Sequence, residues 1–243
     1  RTASKNVPLA AQLASKEESA MSVENWVTVR VWFTKTGRAK YISHLDLNRC
    51  MTRAVQHAKI PLWYTEGFNP HPFLTFALPL SLGIDGVRES MDLRLVEEIS
   101  KEELIRTVNE GLPEDIRLFD VTAPTMKPGK IAYGDYTITI LPEDRTAAEA
   151  EQTLRELLAQ EEIVVKKKSK SGIKDVDIKP FLDIQSLRTE GDSVVCEIRL
   201  PAGSVQNINP HLLFDALENF CGVRFYGKIT RNNLFDKDGA VFA

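Results

Sequence analysis

The sequence predicts an α+β protein made of two tandem ferredoxin-like (βαββαβ) domains. Three observations carry that expectation. Apolar residues recur with a period of two or of 3.6 in the order strand, helix, strand, strand, helix, strand, and the same order then repeats. Helix-capping signals stand where the helices should begin. A Pro/Gly-bearing stretch, APTMKPGK at residues 123–130, lies between the two runs. The expected division is an extension at 1–20, a first domain at 21–124, a linker at 125–130, a second domain at 131–233 and a tail at 234–243.

Residues 1–20 lack the apolar core of a signal peptide and read as a tag remnant or loose extension, with Met21 as a natural start. From Trp26 to Thr34, Val27, Val29, Val31 and Phe33 alternate with Trp26, Thr28, Arg30 and Trp32, which predicts a half-buried strand. Ser43 and Asp46 have capping-box spacing for a helix with the apolar stripe Leu47, Cys50, Met51, Ala54, Val55 and Ala58, ended by Pro61. Leu62–Thr65 and Met91–Val96 read as strands. Ser100 and Glu103 open a second helix that stops near Gly111, and Ile116–Val121 closes the first unit.

In the second unit Ala132–Leu141 is a strand and Thr146–Gln160 a helix with Leu154, Leu157 and Leu158 inward. Glu162–Val165 enters a lysine loop, and Val176–Leu187 and Val194–Leu200 are strands. Asn209 with Pro210 after it caps a helix with Leu213, Leu217 and Phe220 inward, stopped by Gly222. Val223–Ile229 is the last strand.

Composition sets wide bounds. Of 243 residues, 43% are hydrophobic and 27% charged, and the formal net charge of −3 offers no global attraction to nucleic acid or anionic lipid. Any such contact must come from a local patch. No apolar run approaches the length of a bilayer span. Cys50, Cys196 and Cys221 have no CxxC spacing and read as buried, reduced thiols of a cytoplasmic protein.

The chemistry-bearing residues concentrate early. The clusters SHLD (Ser43–Asp46) and EGFNPHP (Glu66–Pro72) flank one helix, and three of the four histidines lie in or between them. His44 in the first helical turn can shuttle a proton or contact a phosphate. Arg49 and Arg53, at i and i+4, can grip phosphates. The prolines and glycine of EGFNPHP fix a polar loop, so His44, Arg49, Glu66, Asn69 and His71 are expected to line a pocket. His44, Asp46, Glu66 and His71 are suitable metal ligands by type but lack a recognised spacing, so neither metal nor cofactor is expected.

Lys166, Lys167, Lys168, Lys170 and Lys174 run without an acid until Asp175, which suits a sequence-independent phosphate-backbone contact. Arg224, Tyr226 and Lys228 on the last strand, and Trp26, Arg30 and Trp32 on the first, form interleaved cationic and aromatic faces. They suit a stacking platform for single-stranded RNA, or packing of the two domains together.

Gly37-x-x-x-Tyr41-Ile42-Ser43-His44-Leu45-Asp46-Leu47, then Ile60-Pro61-Leu62-x-Tyr64-x-Glu66 to Pro72, then Leu78-Pro79-Leu80-x-Leu82-Gly83, resemble the radical-SAM-associated domain of unknown function. That domain stands free or fused behind a radical-SAM protein. Val176-Asp177-Ile178-Lys179-Pro180 and Asn207-Ile208-Asn209-Pro210 extend the resemblance over Val27–Asn232. It implies partnership with a radical-SAM protein. The chain lacks the CxxxCxxC of such an enzyme and so is not that enzyme itself. At the level of fold it also looks similar to the CRISPR repeat-RNA processing endonucleases, but without their glycine-rich loop near the C-terminus.

The expected function is an accessory that binds transfer or ribosomal RNA for a radical-SAM modification enzyme and is not catalytic on its own. The alternatives are a metal-independent ribonuclease or transferase using His44 or His71, with Glu66 as a further candidate, and an adaptor that docks a radical-SAM enzyme through its tryptophan face.

Overall fold

A computed structural model describes residues 26–169 and 172–243. The extension expected at 1–20 lies outside the described residues. The first half runs β1 (Val27–Lys35), α1 (His44–His57), β2 (Leu74–Phe76), β3 (Ile84–Leu95), α2 (Lys101–Glu110) and β4 (Ile116–Thr122). The second runs β5 (Ile131–Leu141), α3 (Ala147–Leu158), β6 (Val164–Ser169), β7 (Gly172–Asp177), β8 (Asp183–Glu190), β9 (Ser193–Pro201), α4 (Leu212–Cys221) and β10 (Tyr226–Asp236). The class is mixed α+β, with one eight-stranded sheet in the order β4-β1-β3-β10-β5-β9-β8. β2 pairs with β3 off that path, and β6 with β7 makes a separate ribbon.

Local rules place the helices. Ser43 accepts from the Asp46 backbone N–H, Ser100 from that of Glu103, and Thr146 makes a full capping box with Glu149. Such caps contribute about 1 kcal/mol each. Leu47, Met51, Ala54 and Val55 of α1 are buried against Val31, Phe33, Leu93 and Leu104 in one core. Leu154, Leu157, Leu213 and Leu217 meet Ile138, Ile198 and Ile229 in the other.

The two halves join where β3 and β10 run parallel, Ile84–Gly86 opposite Ile229–Arg231, in a sheet whose other pairings are antiparallel. Arg231 forks onto Glu89 at 2.9 and 2.5 Å, both side chains buried. Burial works against the Arg231 charge, but the adjacent Glu89 carboxylate outweighs it and holds the guanidinium above its ordinary value. Gly86 is needed here, because a Cβ would stand 2.5 Å from the Glu89 side chain.

Several expectations change. β3 begins at Ile84 rather than Met91, because the buried polar residues Asp85, Glu89 and Ser90 hide its alternation. Leu62–Thr65 is not a strand but two isolated bridges, Leu62 to Leu95 and Tyr64 to Pro72. The lysine loop is a β-hairpin. α4 starts at Leu212, and Asn209 Oδ1 accepts from the His211 N–H just ahead of it. Phe220, expected inward, is exposed in the last turn. β10 continues to Asp236 beyond the expected end at Ile229.

On the first strand the packing alternative is the one observed at Trp32, which meets Ile131, Ala202 and Leu234 of the second half, and the platform reading is corrected at Arg30 and Trp32. Arg30 and Trp32 are buried because Phe242 lies over both: its ring is 4.2 Å from the Arg30 guanidinium carbon and 6.2 Å from the Trp32 ring. Arg30 is further held by Asp92 and the Ala243 carbonyl. A small third core, with Ala77, Ile131, Ala202 and Leu234, covers this face.

Candidate functional site

The early cluster divides along α1. His44 packs edge-on against Phe76, ring centroids 5.1 Å apart, at the N-terminal end of the helix. The EGFNPHP loop stands at the other end, where Gln56 Nε2 donates to the Tyr64 hydroxyl at 3.4 Å. His71 is engaged within the loop: its Nδ1 lies 3.1 Å from Thr65 Oγ1 and 3.2 Å from the Asn69 carbonyl. Between His71 and Phe76 the chain advances by five residues, about 16 Å when extended. Among the described residues no hydrogen bond or ring contact joins His44 to His71.

Glu66, Asn69 and His71 are exposed on the loop, with Phe68 fully exposed at its tip. Arg49 pairs with Asp46 at 3.2 Å on the solvent side. The Ser43 hydroxyl, then Arg49, hold the Asp46 carboxyl below its usual range. Arg53 is exposed nearby.

The lysine run is ordered by the β6–β7 pairing. Lys167 stands directly opposite Lys174, and Lys166 opposite Asp175. Lys167 Nζ donates to the Asn207 carbonyl at 2.7 Å, tying the ribbon to the segment before α4. Lys166 and Lys174 are exposed. Lys168 lies on β6, and Lys170 lies outside the described residues. Like charges directly opposite on a ribbon destabilise it unless an anion sits between them.

Arg224, Tyr226 and Lys228 are all exposed, but Arg224 lies in the turn before β10 and pairs with Glu218 at 3.5 Å. Gly227 lets this strand lie close to β5, since a Cβ there would be 2.1 Å from the Thr139 carbonyl oxygen.

The seam between the halves holds the densest charge chemistry, and sequence patterning did not point to it. Asp85, 2% exposed, faces Lys228 Nζ at 3.4 Å and Lys40 Nζ at 3.9 Å, while its Oδ1 has no hydrogen-bond partner among the described residues. Lys35 is buried beside it, its Nζ 3.3 Å from the Ile42 carbonyl oxygen and 3.5 Å from that of Lys40. Burial pushes the Lys35 ammonium down, against the pull of Glu89 and Asp85.

Gly83, at φ +79°, bridges this cluster: its N–H donates to the Lys40 carbonyl. A Cβ on it would be 3.5 Å from His211 Nε2 and 4.0 Å from the Tyr41 ring. His211 Nε2 lies 3.3 Å from the Leu82 carbonyl oxygen. Three motif segments, around Tyr41, Leu82–Gly83 and Asn209–Pro210, therefore meet here. The available signal was a glycine turn with an acid two residues on, Gly83-Ile84-Asp85.

Two open clefts lie elsewhere. One, of about 1390 Å³, is lined by Lys127, Lys130, Tyr133, Phe181 and Val205. The other, of about 1160 Å³, lies beside Trp26, Trp63 and Glu97. No group of three or more His, Cys, Asp or Glu able to hold a metal occurs among the described residues. No helix among them is long and apolar enough to cross a membrane.

The profile of a family described as "Uncharacterized protein conserved in bacteria (DUF2344)" matches residues 28–210. No curated protein matches the chain. Among solved structures it is similar to a chain of a Cbf5-Nop10-Gar1 complex, with a TM-score of 0.47 and 14% identity. The match covers 86% of this chain and 50% of that one, so this chain spans about half the length of that relative.

Proposed function

The chain belongs to this family of uncharacterized proteins conserved in bacteria, and from that premise we propose that it binds RNA as an accessory to an RNA-modifying enzyme. The observation that carries the reading is the β6–β7 ribbon. Lys167 and Lys174 stand opposite each other across it, and Lys166 is exposed on the ribbon's other face. An RNA phosphate between the ribbon's lysines removes their repulsion and releases counterions. Tyr226 and Lys228, exposed on β10, add an aromatic and a cation to the same task.

In this reading the two halves are ferredoxin-like units sharing one sheet, supported by the partial orders β4-β1-β3 with β2, and β10-β5-β9-β8. The protein works in the cytoplasm and presents transfer or ribosomal RNA to a radical-SAM partner, the setting that its motifs imply. Arg49, Arg53 and the exposed Glu66, Asn69 and His71 serve recognition rather than catalysis. His71 is already engaged by Thr65 and the Asn69 carbonyl.

Filter binding to total RNA across a salt series tests the proposal. Binding is expected at low salt, with Lys166→Glu and Lys174→Glu together lowering the salt slope by about 1.4, or about 0.7 for each phosphate no longer neutralised. Undetectable binding at low salt, or a slope unchanged in the double variant, refutes it.

A further inference from the structure

We infer that the seam beside Gly83 is a binding site for the phosphate monoester of a nucleotide; as the end of a bound strand, this rests on the RNA-binding reading above. The argument begins with charge. Among the described residues, Lys35, Lys40, Lys228 and Arg231 face two carboxylates, Asp85 and Glu89. Arg231 and Glu89 satisfy each other in a bidentate pair. Asp85 balances one of the three lysines, which leaves an excess of two positive charges in a partly desolvated place. A phosphate monoester carries about −1.5 to −2 at neutral pH. An internal phosphodiester carries a single charge, so the seam matches the end of a strand better than its interior.

The surroundings fit the rest of a nucleotide. The Tyr41 ring is exposed and lies 5.3 Å from Lys40 Nζ, where a terminal base can stack while its phosphate meets the ammonium groups. The His211 ring approaches Gly83 from the α4 side, and a Cβ on Gly83 would touch both it and the Tyr41 ring, so both rings border the seam at this glycine. Asp85 Oδ1, buried and without a partner, is an acceptor that a sugar hydroxyl or base amine can satisfy. The lysine ribbon reaches the same region through the Lys167–Asn207 bond, so a strand held on the ribbon can deliver its end to the seam.

Fluorescence anisotropy with single-stranded RNA bearing a 5′-phosphate, a 3′-phosphate or hydroxyls at both ends tests the site. One phosphorylated strand is expected to bind about tenfold more tightly than the hydroxyl-ended strand, as charge-assisted hydrogen bonds allow. Lys228→Ala, at an exposed position, is expected to bring that ratio to about one. Lys166→Glu with Lys174→Glu should weaken every strand and keep the ratio. RNA binding with no preference for a phosphorylated end overturns the seam site and leaves the RNA reading standing. Calorimetry with AMP against adenosine separates the converse case: AMP binding abolished in Lys228→Ala, in a protein that binds no RNA, supports the phosphate site with a free nucleotide as its source and overturns the RNA reading.

Discussion

Lys35 shows how a single residue records the conflict between fold and site. Burial disfavours its charged form more than Glu89 and Asp85 favour it, so its ammonium titrates below the ordinary lysine value of 10.5. The unfolded chain then binds more protons than the folded one between the two values. Stability therefore rises with pH through the folded value and levels off near the unfolded one. Lys35→Met is expected to be more stable than the wild type at neutral pH, with the gap closing as pH approaches about 10.5. Urea midpoints at neutral pH and at pH about 10 measure this, and a gap independent of pH would contradict it. A buried lysine that costs stability is understandable if it serves a ligand. Cys196 shows the opposite use of burial: its thiol is pushed up to about 12, as suits an inert core residue.

At the scale of elements, what the sequence revealed was what local rules control. Ser43, Ser100 and Thr146 cap their helices as their spacing predicts, since a cap involves residues three apart. The stripe of α1 is buried at Leu47, Met51, Ala54 and Val55 for the same reason. The lysine ribbon was hidden because charged residues carry no apolar alternation, and only its pairing reveals strands. Packing of the first-strand face was one of two open readings, and the cover that buries Arg30 and Trp32, Phe242, was hidden because it comes from the far end of the chain. That cover is integral to the fold: Phe242→Ala is expected to cost about 3–5 kcal/mol, read as a shift in denaturant midpoint. A cost under about 1 kcal/mol would show that the C-terminal residues merely rest on β1.

At the scale of the whole molecule, the site is a product of how the halves join. Asp85 comes from β3, Lys228 from β10, Lys40 and Tyr41 from the turn before α1, and His211 from the start of α4. No spacing rule unites these positions, so the sequence could show the motifs but not their meeting. The expected pocket between SHLD and EGFNPHP illustrates the same limit. One amphipathic helix separates the two clusters, and the structure keeps His44 at one end and the loop at the other. The parallel contact of β3 with β10 instead collects charge from both halves around two buried carboxylates, Asp85 and Glu89. Hydrogen exchange of the protein with and without single-stranded RNA tests the account most directly. It predicts slowed exchange in β6–β7, in 207–211 and around Lys40–His44. Protection confined to either open cleft, or absent at the ribbon and seam under saturating RNA, would contradict it.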